Sequence, residues 1–502
     1  MFTALTSYRP LIFPMLFAIS LSTMLSGCSD GGGGGGGNST TPATTSTPSS
    51  TTTAVVSSGP ITGFGSVILN GIEFETTQAE IRAEDQVVRE DDLRLGMRVT
   101  VEGVRDNHGV ARATRVVFRK NVEGLIDSID GSTNTFVVLR QTVHADSLTV
   151  IEDRAQASSI DFSTLAVGQF VEVSGLVDAD GAILATRLER QTGFVAGVTE
   201  VEVRGTLSGL DTNARTFTLG ALPVNFSTAT VVGSLSNGVF VQVRGTQTAP
   251  GSLTATRVTV EDPTVGGAAG ATMEVEGFVT EFTPGTTVFH VNGQAVTTTA
   301  QTVFDNGTAA DLALDVRLEV EGQLDANRTL VAEKISLRRR NGGSVRMEAD
   351  VEAVTTTTVT LLGLVVRVDP LTQFKDDKGG DRHFKFGSLQ VGDRVEIRGG
   401  LDAQGNIVAT RLRRRSPTTE VVLQGPVESI ASPNLVIHGV GIQTNADTVF
   451  KDFGPNRPTA AQFFAILRAG TLVKVKGVFV RGTPGAIQAR QVELADDIDD
   501  DL

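Results

Sequence analysis

The sequence predicts an all-β protein, a tandem array of about six small five-stranded β-barrels. Three observations predict it. One hairpin pattern recurs six times at nearly constant spacing. Apolar and polar residues alternate with period two inside each copy. A glycine closes every copy and another opens five of the six, at equivalent places. The clearest copy is Leu165 to Glu189, LAVGQFVEVSGLVDADGAILATRLE. Val171 and Val173 alternate with Glu172 and Ser174, the pattern of a strand with one buried face. Gly168 precedes this strand and Gly175 closes it, where positive φ or a bend is expected. Asp180-Gly181 marks a tight turn. Ile183 to Leu188 then returns as the partner strand.

The closing glycines are Gly103, Gly175, Gly245, Gly322, Gly399 and Gly477, at spacings of 72, 70, 77, 77 and 78 residues. The return strand begins Ala-Thr-Arg at Ala113, Ala185, Ala255 and Ala409, with variants at Ala332 and Ala489. The opening glycines are Gly96, Gly168, Gly238, Gly392 and Gly470. Asp315 takes that place in the fourth copy, and Asp also tolerates the left-handed region. Such regularity identifies tandem homologous units. The boundaries are 59–118, 119–192, 193–264, 265–341, 342–416 and 417–494, with an acidic tail at 495–502. Units of this size bury little surface alone, and a closed barrel removes open sheet edges.

The remaining strands of each unit follow in order. Val122-Glu123-Gly124, Val203-Arg204-Gly205, Val275-Glu276-Gly277 and Leu423-Gln424-Gly425 open their units, and the fifth has Met347-Glu348-Ala349. A second strand such as Thr135 to Leu139 comes next, then a third such as Val143 to Val150. A polar connection leads to the hairpin, and Thr459 to Leu467 is its best helix candidate. Five strands with a short helix between the third and fourth is the order of an OB-like barrel. A plain five-stranded barrel without the helix is the alternative.

The N-terminus stands apart from the barrels. Arg9 is the only charge in the first 27 residues, and Leu11 to Leu25 is an apolar run of signal-peptide length. It is short for a membrane span. Leu25-Ser26-Gly27-Cys28 resembles the lipobox of bacterial lipoproteins. That resemblance implies cleavage before Cys28 and acylation of its thiol and new amino terminus, giving a membrane anchor. Ser29 after the cysteine implies transfer to the outer membrane. Cys28 is the only cysteine, so no internal disulfide framework exists. Residues 28–58, seven glycines followed by Ser, Thr and Pro, read as a disordered tether reaching roughly 30 Å.

Gly59 to Gly71, GPITGFGSVILNG, together with the VxVxG and ATRV segments, resembles the bacterial domain-of-unknown-function family numbered 5666. The resemblance implies OB-like barrels and an envelope location. It brings no catalytic residues.

No residue set for catalysis, cofactor or metal is read from the sequence. The five histidines, His108, His144, His290, His383 and His438, never pair at metal-ligand spacing. Asp178 to Gly181 lacks the glutamate that closes a calcium loop and reads as a hairpin turn. Gly63-Phe64-Gly65 is followed by a strand pattern, not by the helix a dinucleotide fingerprint needs. Arg115, Arg187, Arg257 and Arg411 are the repeated polar exception. They are expected to point outward to acids, or else to join adjacent units or an acidic ligand. Arg338 to Arg340 and Arg413 to Arg415 are expected in connections between domains. The formal charge of −14, which becomes −15 when Arg9 leaves with the signal, opposes nucleic-acid binding. The expected function is a non-enzymatic, lipid-anchored envelope scaffold or spacer, with an envelope protein or glycan as partner. The alternative is a binding protein for glycan or divalent cations, using loops such as Lys375 to Phe386.

Overall fold

A computed structural model describes residues 52–495, apart from 147, 157, 339–344, 403, 453–456 and 483–484. The signal, Cys28, residues 29–51, Arg339, Arg340 and residues 496–502 therefore lie outside the described residues. Repeat 2 shows the plan. Its strands are Val122–Asp130, Thr135–Val138, a third in two pieces (Gln141–His144 and Val150–Asp153), Phe170–Val177 and Ile183–Arg190. Strand one pairs with strands two and four. Strand five pairs antiparallel with strand four and parallel with both pieces of strand three. The order 1-2-3-5-4-1 closes a barrel of OB type. The other five repeats follow it.

The closing glycines sit at a β-bulge in all six repeats. The residue after the return-strand alanine is extra and unpaired in the ladder. Where it is threonine, its hydroxyl donates across the bulge: Thr114 to the Glu102 carbonyl, Thr186 to Ser174, Thr256 to Arg244 and Thr410 to Arg398, at 3.0–3.2 Å. A Cβ on the closing glycine would meet a strand-five carbonyl oxygen at 2.0 to 2.2 Å. Only glycine fits there. Asp315 adopts φ of 62°, as its place among the opening glycines requires.

Three details depart from the sequence reading. Thr52–Pro60 is a strand, so Thr52 to Ser58 belong to repeat 1 and not to the tether. Residues 143 to 150 are not one strand. Asp146 Oδ1 accepts the amides of Leu148 and Thr149, and Thr149 Oγ1 donates to the Ala185 carbonyl at 2.7 Å, which breaks strand three. Thr302, Thr372 and Thr448 make the same bond to Ala332, Ala409 and Ala489. Lastly, among the described residues an α-helix follows strand three only in repeat 6, at Ala460–Ile466, capped by Thr459. Repeats 1, 2, 4 and 5 have single 3-10 turns instead.

The barrels are fused. The described residues belong to one compact unit, Ser50–Leu502. First strands pair with first strands. Repeats 2 and 3 join antiparallel (Val122 opposite Val203), as do repeats 5 and 6 (Met347 opposite Leu423). Repeats 1 and 4 join in parallel, from Val55 opposite Thr272 to Ser58 opposite Val275. Three two-barrel sheets result. The apolar interior is contiguous across repeats 2 and 3, and again across repeats 5 and 6. Each fully buried Val on these strands, such as Val122 or Val203, contributes about 1.5–3 kcal/mol.

Candidate functional site

Period two sends the polar residue of each Val-Glu-Gly or Val-Arg-Gly to the outside of its barrel. Fusion then buries that face. Glu123 and Glu202 come directly opposite each other across the 2–3 seam. Like charges so placed need cations. Lys120 lies against Glu123 and Glu172. Arg204 lies against Glu84 of repeat 1, Glu202 and Glu261, and donates to the Lys120 carbonyl at 2.7 Å. Arg244 binds Glu202 and Asp85 of repeat 1 at 2.9 and 2.8 Å. Burial pushes the Glu84, Glu123 and Glu172 carboxyls up. Burial would discharge Arg204, but the carboxylates around it, Glu84 foremost, hold it above its ordinary value.

At the 5–6 seam, the buried Arg394 reaches Glu348 and Asp350, both at 3.4 Å. The 1–4 seam is less well neutralised. Glu274 faces Glu321, and Glu276 faces Glu319. Arg317 and Arg338 serve Glu276 and Glu319. Among the described residues, the one ion pair of Glu274 is with Arg105, at 4.0 Å. Burial, then the Glu319 and Glu321 charges, push Glu274 up to about 8. Burial and Glu276 push Glu319 up to about 7, against Arg338. The ordinary value of both is 4.5, so the folded state holds protons that the unfolded chain releases. Their contribution to stability is present below about pH 4.5 and is lost as pH rises through 7 and 8. Melting temperatures should therefore fall across that window, and Glu274→Gln should flatten the slope. An unchanged slope in the variant would contradict this assignment.

Where repeats 1, 2, 4 and 5 converge there is a cavity of about 640 Å³, lined among others by Thr62, Leu148, Glu276, Arg317, Arg367 and Asp369. Small-molecule sites commonly have this volume. Its lining mixes backbone, acids and arginines from four repeats. None of it follows from one repeat alone.

The repeated arginines divide. Arg115 and Arg257 are outward, near Glu102 and Thr259. Arg187 and Arg411 are buried and join units. Arg187 meets Glu152, Glu189 and the Leu95 carbonyl of repeat 1. Arg411 donates to the Leu148 carbonyl of repeat 2. Residues 375–386 are not a free loop. Lys375 binds Glu152 at 2.8 Å, and Arg382 stacks over Phe64 at 4.1 Å, fixing repeat 5 to repeats 2 and 1. Arg413 and Arg414 lie on strand five and not in a connection. They pair with Asp377 and Asp376 respectively, and Arg415 also pairs with Asp377. Arg338, just after the last strand of repeat 4, pairs with Glu319. Asp178 accepts the Ala182 amide in a hairpin turn, and Gly63–Phe64 is a strand, as the sequence suggests.

His144 meets Thr135, His290 meets Glu281, and burial pushes His438 down. Among the described residues, no three His, Cys, Asp or Glu side chains are placed to hold a metal ion. Sequence reasoning missed the seam carboxylates and the strand-three threonines. The signal for the threonines was present, as an Asp, Asn or Thr three residues before each of Thr149, Thr302, Thr372 and Thr448.

Comparison with protein families finds the same six repeats. The family described as a domain of unknown function (DUF5666) matches six times, at residues 53–117, 123–189, 204–259, 276–336, 348–413 and 424–493. No curated protein matches the chain. Solved structures that align include a deletion mutant of the single-stranded DNA binding protein from Thermus aquaticus (12% identity, 30% of this chain, 93% of that chain, TM-score 0.16). The wild-type protein aligns similarly (13%, 30%, 92%, TM-score 0.15). A Drosophila Unr structure aligns at 14% identity over 43% of this chain and 97% of that one, with TM-score 0.12. Similarities at these TM-scores carry no argument about what this chain binds. The family matches span well over half of the sequence, and the chain therefore belongs to the DUF5666 family as six tandem repeats.

Proposed function

We propose that the protein is a non-enzymatic lipoprotein of the cell envelope, in which six barrels form one rigid interaction platform. Cys28 carries the lipid that holds it, and residues 29–51 space it from the surface. The observation that carries this reading is the pairing of first strands. It joins the repeats two by two and turns polar residues of those strands toward a neighbouring repeat, which supports a structural role for them. The lipobox-like Leu25 to Cys28 supports the anchor and an outer-membrane location. The net charge of −14 argues against nucleic acid as partner. Among the described residues no helix is long and apolar enough to cross a membrane.

A second reading is favoured by the four-repeat cavity: binding of a small ligand such as a glycan or a divalent cation. Affinity purification from crosslinked native envelopes separates the two. A stoichiometric protein partner supports the platform. Glycan without protein supports the second reading and defeats the first. Cys28→Ala should move the folded protein from the membrane fraction to the soluble fraction. A folded variant that stays with the membrane would refute lipid anchoring.

A further inference from the structure

Between repeats 2 and 5 lies a second, smaller cleft of about 60 Å³. Its polar lining is Thr149, Ser159, Lys375, Arg398, Arg411 and Arg413, with the exposed Asp161 at its rim. By the same measure one water needs roughly 10–15 Å³, so the cleft has room for an ion of about five heavy atoms.

Four cations, Lys375, Arg398, Arg411 and Arg413, line it against one carboxylate, Asp161. Glu152 serves both Arg187 and Lys375. Asp377 serves Lys375, Arg413 and Arg415. Glu396 serves Arg346, Arg398 and Arg415. Arg411 has no carboxylate within ion-pair distance among the described residues. Its Nε donates to the neutral Gln373 Oε1 at 2.6 Å and its Nη2 to the Leu148 carbonyl, while Nη1 makes no hydrogen bond among the described residues. Yet Arg411 is only 6% exposed. Glu396 and Asp146 act on it from a distance. Burial, then the Arg413 and Arg398 charges, push its guanidinium down to about 9. A buried guanidinium without a counter-charge is costly. The chain as a whole is acidic, so this excess of positive charge is local.

We propose that this cleft binds a small oxyanion of phosphate or sulfate size and charge, with Arg411 as its central contact. The anion supplies the missing counter-charge, and a guanidinium fork suits tetrahedral oxyanions. The Ser159 hydroxyl and the Lys375 ammonium, already hydrogen-bonded to each other, also line the cleft. Because the lining comes from both repeats, the bound ion ties repeat 2 to repeat 5.

The test uses the purified full chain in detergent. Sodium phosphate and sodium sulfate are compared with sodium chloride at matched ionic strength, by calorimetric titration and thermal melting. Saturable binding of one oxyanion is expected, with a melting temperature that rises as its concentration passes Kd. Lys375→Gln and Arg413→Gln should each weaken it by about tenfold, the scale of one charge-assisted hydrogen bond. Arg411→Gln should abolish it. Arg257→Gln, exposed in repeat 3, should leave it unchanged. Glucose 6-phosphate distinguishes the source. Tighter binding than inorganic phosphate assigns a phosphorylated small molecule, and weaker binding assigns the free ion. Chloride matching phosphate, or equal affinity in the Lys375 and Arg413 variants, would overturn the proposal. The Lys375 and Arg413 variants keep it falsifiable even if Arg411→Gln does not fold.

Discussion

Replacing Arg204 with Met should destabilise the protein by about 3–5 kcal/mol, the cost of leaving buried carboxylates without their cation. Arg204 is 6% exposed and lies against Glu84, Glu202 and Glu261, which come from repeats 1 and 3. Its loss leaves three acids crowded at one seam, so repeats 1, 2 and 3 should loosen together. Adding Glu202→Gln to Arg204→Met should recover part of the loss, because one of the stranded charges is removed. Denaturant unfolding of the single and double variants measures both effects. A loss below about 1 kcal/mol would class Arg204 with exposed ion pairs and would contradict its place in a buried seam.

Gly175→Ala should cost about 3 kcal/mol, the upper range for forcing a group into packed structure. Its Cβ would lie 2.2 Å from the Leu184 carbonyl oxygen, which is backbone and cannot turn aside. Gly181→Ala is the contrast. Nothing lies within 4 Å of its Cβ, and only its φ of 86° resists the change, at about 1 kcal/mol. Thermal melting of the two variants gives the ranking. Equal effects would mean that the bulge relaxes and that the recurring glycine answers only to φ. The same ranking should hold at Gly399 against Gly405, where the surroundings match.

Local rules made much of the barrel legible. Val171 and Val173 gave the strand, Gly175 its closure, and Asp180-Gly181 the turn, because each signal is settled by neighbours within a few residues. The break in strand three was not read, since Thr149 acts through the Ala185 carbonyl, 36 residues away. Thr52 to Ser58 looked like tether because Ser and Thr carry little apolar signal. Their strand is held by pairing with Arg98–Asp106 of the same repeat and with Thr272–Glu281 of repeat 4. The seams were the least legible part. Glu123 and Glu276 show the pattern of solvent-facing strand residues. Only the joining of barrels turns that face inward, and period two holds no information about what a barrel will meet. The same limit explains Arg187 and Arg411. Their spacing is that of Arg115 and Arg257, but their neighbours are other repeats.

The central claim is that the repeats form one body: paired first strands join them two by two, including repeats 1 and 4, which are not adjacent in sequence, and side chains such as Arg187, Arg204 and Lys375 tie the pairs together. Residue-level hydrogen exchange over Val55 to Ser58 tests it most directly. These residues pair on one side with strand four of repeat 1 and on the other with strand one of repeat 4. With both partners in place, all of their amides should be protected as strongly as those of the barrel core. If the repeats swing free, alternate amides of this stretch will exchange at the rate of an exposed sheet edge, and the single-body account fails.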